Sequence, residues 1–379
     1  MILTLPQLIL FGVISQFLFL ILLCIAPLKA RRLPRQLLAL MLAGMAGTLF
    51  EVFLHTTGLA TRYPDTAFTG TILGMLQPGA IFLYAQSVMY RDFRLRLRHL
   101  VHFLPVPGAI VMFAMGYYSL PEESQIRMLS DSHYPGVMNS VVLAIVLHGV
   151  VIGYLAATLK KISRFGVELR NVFSDLGNKE LAWLRNLLFA YGTAWSLSLV
   201  YCLLAHVMRV TGSHQSLTIA TTMVSIVILL PMSILAFRQP AVFAGIGQTV
   251  LDAEANSGAY AADLSPGSLA SRIEQLMKER QPYLYSNLTV ERLARQAELT
   301  PRELSQFLNQ KMGINFYEFV NGYRIEHARQ RLADPLETGT ITDVMYESGF
   351  NSKSVFNTLF RKTNGKTPSQ YRRSLRQNC

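Results

Sequence analysis

The sequence predicts an all-α protein in two parts: a bundle of seven transmembrane helices, then a domain of short helices containing two helix-turn-helix units. Three observations predict it. Of 379 residues, 51% are hydrophobic and 15% charged, against about 25% charge in an ordinary soluble domain, and mean hydropathy is +0.30. The apolar surplus sits almost entirely before Arg238. Beyond that break come short helices with sharp start and stop signals, in a pattern that occurs twice.

Windows of about 20 residues are long enough to cross about 30 Å of hydrocarbon. Seven such windows precede Arg238: Leu5–Pro27, Leu37–Ala60, Thr71–Tyr90, Val101–Leu120, Gly136–Leu159, Asn186–Met208 and Leu217–Phe237. Seven in succession exceed what a soluble core would hold.

Lys and Arg in short loops set orientation. The loops after the first, third and fifth windows hold Lys29, Arg31, Arg32, Arg35, Arg91, Arg94, Arg96, Arg98, Lys160, Lys161, Arg164, Arg170, Lys179 and Arg185. The opposite loops hold Arg62, Arg127 and Arg209 beside Asp65, Glu122, Glu123 and Asp131. The expected topology is N-terminus outside and C-terminus in the cytoplasm of a bacterial inner membrane. A basic cluster follows the first window and none precedes it, which reads as an N-out anchor rather than a cleaved signal peptide.

The outer loops are too short for a folded sensor domain, so any signal enters the bundle or is the bilayer itself. Polar side chains inside spans face cavities or partners, which makes Glu51, His55, Gln77, His148 and Trp195 the sensing candidates. Glu51 and His55 stand four apart on one helix face, where a mutual pair and a polar ligand contact are equally open readings. Pro78, Pro105, Pro107 and Pro231 are expected to kink their helices and free carbonyls. The cysteines, Cys24, Cys202 and Cys379, show no metal spacing.

The stretch from Lys160 to Arg185 alternates basic residues with Ile162, Phe165, Leu169, Val172 and Phe173. It is expected to extend the fifth helix beyond the membrane, with Asn178 capping the next helix and Glu180 in its first turn. Contact of its basic residues with lipid is the leading reading, and contact with the soluble domain the alternative. Gln239–Gly267 is small and polar and reads as a linker, whose 29 residues reach roughly 30 Å as a flexible chain. The organisation is thus a sensor over 1–238, a linker over 239–267 and a soluble domain over 268–379.

In the soluble part Thr300-Pro-Arg-Glu303, Asn315-Phe-Tyr-Glu318 and Thr367-Pro-Ser-Gln370 each pair a capping residue with Glu or Gln three positions on. Thr340-Ile-Thr-Asp343 is a looser version, and Gly313, Gly349 and Gly365 sit where helices should end. Leu304, Leu308, Gly313, Asn315 and Phe319 recur 52 residues later as Phe356, Phe360, Gly365, Thr367 and Tyr371. Each unit is therefore helix, turn, helix: Thr289–Gln296 with Thr300–Gln310, then Thr340–Glu347 with Asn351–Lys362. A long helix, Asn315–Leu332, joins them. Two such units on one connector suit successive major grooves, about 34 Å apart on one DNA face. Residues 267–379 carry seventeen Lys and Arg against eleven Asp and Glu, and after Phe350 seven basic residues meet no acidic one. That balance favours phosphate contact with double-stranded DNA.

Ile341-Thr-Asp-Val-Met-Tyr-Glu-Ser-Gly-Phe-Asn-Ser-Lys-Ser-Val-Phe356, with Phe360-Arg-Lys and Gly365-Lys-Thr-Pro-Ser-Gln-Tyr-Arg372, resembles the C-terminal signature of AraC/XylS-type transcription regulators. The likeness covers roughly Ser268–Leu375, and Leu304, Phe307, Leu308, Gly313 and Phe316 extend it to the first unit. Here a seven-span bundle stands where that family usually carries a soluble ligand-binding barrel. The resemblance implies that each unit's second helix reads base edges. The candidates are Arg302, Ser305, Gln306 and Asn309 in the first unit, and Lys353, Ser354, Asn357 and Thr358 in the second. Arg361, Lys366, Arg372 and Arg373 are the phosphate candidates, which set register without reading sequence.

The reading is a membrane-embedded one-component transcription regulator controlled by a signal in the bundle. A small amphipathic or membrane-soluble effector and a homodimer are further expectations, as is release of the DNA-binding part by proteolysis in the linker. The competing reading is a transporter or channel with a regulatory helical domain. No Gly-rich phosphate loop, paired metal spacing or nucleophile–base motif occurs in the soluble part, so no enzyme, cofactor or metal is expected.

Overall fold

Helices make up the regular structure of the residues described by the computed structural model, namely 3–26, 31–90, 92–130, 141–176, 181–208 and 266–376. Among them no strand forms, only an isolated antiparallel bridge between Phe173 and Thr289. Two compact units emerge, one drawn from Met1–Ser163 and Leu181–Ile246, the other from Arg164–Glu180 and Gly247–Cys379.

In the first unit α1 (Leu5–Ile25) starts at Thr4, whose backbone amide donates to Gln7 Oε1 at 2.9 Å. α2 (Arg32–Thr57) stops at Gly58, which takes the left-handed conformation (φ 75°) that glycine adopts without steric cost. The third expected span is divided at Met75 into α3 (Thr69–Gly74) and α4 (Leu76–Met89). Pro78 lies in the first turn of α4, where its missing amide is no loss. The fourth is a bent pair: a 3-10 segment, Leu97–Phe103, turns by 43° into α5 (Pro105–Phe113), which runs on through a π turn to Tyr118. The bend falls at Leu104, just before Pro105, the first residue of α5. Then follow α6 (Glu122–Ser130), α7 (Val141–Val172) and α8 (Ala182–Met208).

Five of these helical runs are long and apolar enough to cross a membrane, and six if the bent pair is one span. The seventh expected span, Leu217–Phe237 with its Pro231, lies outside the described residues, as do Asn178, Glu180, Cys379 and the expected linker up to residue 265.

Small residues bring α2 and α3 together. A Cβ on Gly70 would stand 2.1 Å from the carbonyl oxygen of Gly47, and one on Gly74 2.8 Å from Thr48 Oγ1. Such a seam gains dispersion contact at backbone distance, which larger side chains would forbid. Basic residues close helix ends. Arg31 donates to the carbonyls of Ser87 (3.0 Å) and Tyr90 (3.3 Å), at the C-terminus of α4. Buried Arg35 donates to the carbonyl of Ala26, at the end of α1. Both put positive charge where helix carbonyls lack partners.

The second unit begins with α9 (Pro266–Glu279), so helix starts inside the stretch expected to end the linker. α10 (Val290–Gln296) and α11 (Pro301–Phe307) form the first helix-turn-helix, α11 continuing through a π turn to Met312 before Gly313 (φ 69°). The connector is α12 (Phe316–Ala333). α13 (Ile341–Glu347) and α14 (Lys353–Asn364) form the second pair, and α15 (Pro368–Arg376) closes the unit. The expected caps are present: Glu303, Glu318 and Asp343 amides donate to Thr300 Oγ1 (3.2 Å), Asn315 Oδ1 (2.9 Å) and Thr340 Oγ1 (3.1 Å). Ser352, one residue later than expected, caps α14. Ile325, Ala328 and Leu332 of the connector pack with Val344, Met345, Phe350, Phe356 and Phe360 in one apolar core.

Candidate nucleic-acid interface and bundle networks

Core packing decides which side of each second helix faces outward. Leu304, Phe307 and Leu308 are buried, and this turns Arg302, Gln306 and Asn309 to solvent with Ser305 half-buried beside them. In α14 burial of Phe356 and Phe360 leaves Lys353, Ser354 and Thr358 exposed and Asn357 half-buried. Each unit thus presents a polar face that combines donors and acceptors suited to base edges. Arg361, Lys366 and Arg373 are exposed around the second of these faces. Arg372 differs, because its Nη1 donates to the carbonyl of Gly339 at 2.8 Å and the side chain is half-buried against the turn before α13.

The centre of the unit is a charge that sequence reasoning missed. Arg324 on the connector is 1% exposed. Its Nε donates to the Tyr283 carbonyl (2.7 Å), Nη2 to the Tyr285 carbonyl (2.8 Å) and Ser174 Oγ (3.1 Å), and Nη1 to the Ser174 carbonyl (3.1 Å) and Asn321 Oδ1 (3.3 Å). Its guanidinium lies 5.7 Å from the Phe350 ring centroid. Burial pulls its pKa down to about 10, partly opposed by Asp175, so it stays charged at neutral pH. A signal was available: Arg324 stands four residues from both Val320 and Ala328, on the buried stripe of the connector.

His327, one turn on, shares a 3.1 Å hydrogen bond between Nδ1 and Ser348 Oγ. Burial, and then the charge of Arg331, lower its pKa below the ordinary 6.5. The folded unit therefore favours neutral imidazole, and the unfolded chain takes up protons first as pH falls. Stability should hold above about pH 6.5 and decline below it. Hydrogen exchange of peptides covering 316–350 should accelerate between pH 7.5 and 5.5, and a His327→Gln protein should show a flatter response.

The sensing candidates of the first unit fall into two networks. Glu51 is buried: its Oε1 accepts from the Phe68 amide (2.7 Å) and pairs with His55 Nε2 (3.1 Å), and its Oε2 accepts from the Gly70 amide (3.0 Å). The mutual pair is thus present, and Glu51 also caps α3. Phe68, with φ 66°, stacks on Phe113 at 4.8 Å and meets Tyr117 edge-on at 4.9 Å. The second network links Thr48, Gln77, Tyr191, Trp195 and His148. Gln77 Nε2 donates to Thr48 Oγ1 at 2.9 Å, and Tyr191 hydroxyl donates to Gln77 Oε1. Tyr191 and His148 flank Trp195 with centroids at 6.2 Å and 5.1 Å, and His148 Nε2 lies 3.2 Å from Ser198 Oγ. Tyr191 and Phe68, aromatic residues in apolar runs, gave no sequence signal of their own.

A family model described as a helix-turn-helix domain matches residues 293–374. Residues 293–374 form an AraC-type helix-turn-helix domain. This AraC-type domain is DNA-binding and belongs to transcription regulators rather than to an enzyme class. The chain is similar to an uncharacterized HTH-type transcriptional regulator of Staphylococcus aureus (strain COL), 30% identical over 101 residues, which are 27% of this chain and 13% of the relative. It is also similar to the uncharacterized HTH-type transcriptional regulator YtdP of Bacillus subtilis (strain 168), 32% identical over 91 residues, 24% of this chain and 12% of that one. The chain thus spans about an eighth of the length of these relatives. Among solved structures it is similar to the C-terminal domain of AraT, a response regulator from Geobacillus stearothermophilus, with 28% identity, a TM-score of 0.25 and coverage of 30% of this chain and 88% of that one.

Proposed function

We propose that the chain is a one-component transcription regulator embedded in a bacterial inner membrane, in which a seven-helix bundle over 1–238 controls an AraC-type domain over 268–379 through a linker over 239–267. The observation that carries the reading is the presence of that domain in the same chain as at least five helices long and apolar enough to span a membrane. The exposed faces of α11 and α14 read bases in double-stranded DNA, and Arg361, Lys366 and Arg373 hold phosphates. Arg372, turned to Gly339, contributes through the shape of the unit as well as its charge.

Glu51, His55, Gln77, His148 and Trp195 are the sensing residues. Their two networks link different helices, so a small amphipathic or membrane-soluble effector, or the bilayer, acts on helix packing by competing for those hydrogen bonds. A homodimer would place paired AraC-type domains over one promoter, where tethering raises their effective concentration.

Orientation is testable by reporters. A phosphatase that is active only outside the membrane should be active when inserted after Ser130 and inactive when fused after Cys379. The reverse pattern, or recovery of the chain in the soluble fraction, contradicts the reading.

A further inference from the structure

The segment that follows α7 belongs to the same unit as the helix-turn-helix pairs, which span Arg164–Glu180 together with the chain beyond Gly247. Leu169 and Val172 at the end of α7 are 0% and 1% exposed. Beyond them Phe173 forms its bridge with Thr289, the cap of α10, and the Ser174 hydroxyl donates to the Leu288 carbonyl at 2.7 Å. The Ser174 carbonyl accepts from Asn321 Nδ2 and Arg324 Nη1, both at 3.1 Å on the connector. Asp175 Oδ2 accepts from Asn351 Nδ2 at 3.3 Å, next to Ser352, which caps the base-reading helix α14. Three consecutive residues thus reach the first helix-turn-helix, the connector and the turn of the second.

We infer that Phe173–Asp175 are positioning residues for DNA reading, which fix how α14 is held against the connector and make α7, rather than the linker, the route by which the bundle governs the DNA-binding domain. The inference rests on the function proposed above. The covalent facts favour this route. α7 is one continuous helix from Val141 to Val172, and most of it, Val142–Val172, is itself a candidate span. A continuous helix transmits rotation and translation along its axis, from the candidate span to the contacts of Phe173–Asp175. Arg324 is the anchor: of its five hydrogen bonds, to Tyr283, Tyr285, Asn321 and Ser174, a shift of Ser174 breaks two at a buried charge, which holds the segment in its register.

The test uses full-length protein in its own membranes and maps the DNA to which it crosslinks, comparing the parent with Asp175→Ala, Asp175→Asn and Ser174→Ala. Asp175→Ala removes the acceptor beside α14 together with a carboxylate charge that supports buried Arg324. Occupancy should fall about threefold to tenfold, the range set by one ordinary hydrogen bond. Base preference should be lost in the half of the bound motif that α14 reads and kept in the half read by α11. Asp175→Asn retains a side-chain oxygen for Asn351 and should lose less than Asp175→Ala, while Ser174→Ala, which removes the hydroxyl bonds to the Leu288 carbonyl and Arg324, should lower occupancy without a loss confined to the α14 half. Unchanged motifs and occupancy in both alanine variants overturn the inference while leaving the proposed function standing. So does an equal loss over both halves in Asp175→Ala, which marks a merely structural role. Absence of discrete sites for the parent removes the proposed function and the inference together.

Discussion

Replacing Arg324 by Met should unfold the DNA-binding unit. The side chain is wholly buried, and its loss strands the Tyr283 carbonyl and takes one of two donors from the carbonyls of Tyr285 and Ser174, which keep the Leu288 amide and Asn321 Nδ2. A stranded buried acceptor costs about 1–3 kcal/mol and each further lost hydrogen bond to a charged group about 1.5–3 kcal/mol, so together they approach the whole stability of a domain, about 5–15 kcal/mol. Met fills similar volume and cannot donate. Limited proteolysis of the full-length protein should cut within residues 266–376 of the variant under conditions that leave the parent intact. Arg324→Lys should fall between, since an ammonium has three donors and cannot span five acceptor positions in the guanidinium plane. A resistant Arg324→Met protein would show that the acceptors find water and that the hub is dispensable.

Gly70→Val should loosen the bundle. The added Cβ would lie 2.1 Å from the Gly47 carbonyl oxygen and 2.8 Å from Glu51 Cβ. The obstacle is backbone, so rotamer changes cannot relieve it and α3 must move from α2, which lengthens the bond from the Gly70 amide to Glu51 Oε2. Overpacking costs about 1–3 kcal/mol in ordinary cores, and a backbone clash belongs at the upper end of that range. Thermal unfolding of the detergent-solubilised chain should drop by several degrees, while Gly12→Val, where nothing lies within 4 Å, should leave it unchanged. Equal shifts would mean that valine in a helix, not the seam, sets the effect.

The second unit was legible because its local signals are physical and short in range. Thr300 with Glu303 and Asn315 with Glu318 announce helix starts through reciprocal hydrogen bonds that need four residues. Gly313 and Gly365, with φ of 69° and 71°, mark ends because only glycine enters that region freely. The repeat then placed Leu304 and Phe356 in equivalent buried positions, and the exposed faces followed by subtraction. Long apolar windows found α1, α2, α7 and α8 for a similar reason. They did not find the break at Met75, because a window averages hydropathy and is blind to a single irregular turn, whereas the bend before Pro105 was announced by the proline itself. Least legible was the Ser174 contact with Arg324, which joins residues 150 positions apart in sequence and has no motif.

The central claim, that a membrane-embedded chain binds specific DNA through its AraC-type domain, is tested most directly by mapping where the full-length protein crosslinks to the genome. The map of the parent is to be set beside that of a Lys353→Ala, Asn357→Ala variant recovered from the same membrane fraction in equal amount. Each lost base contact is worth about 1–3 kcal/mol, so two should lower occupancy by about tenfold or more. Discrete sites that disappear in the variant are the predicted result. Sites that persist unchanged, or a parent that is inserted and abundant yet crosslinks nowhere in particular, would contradict it.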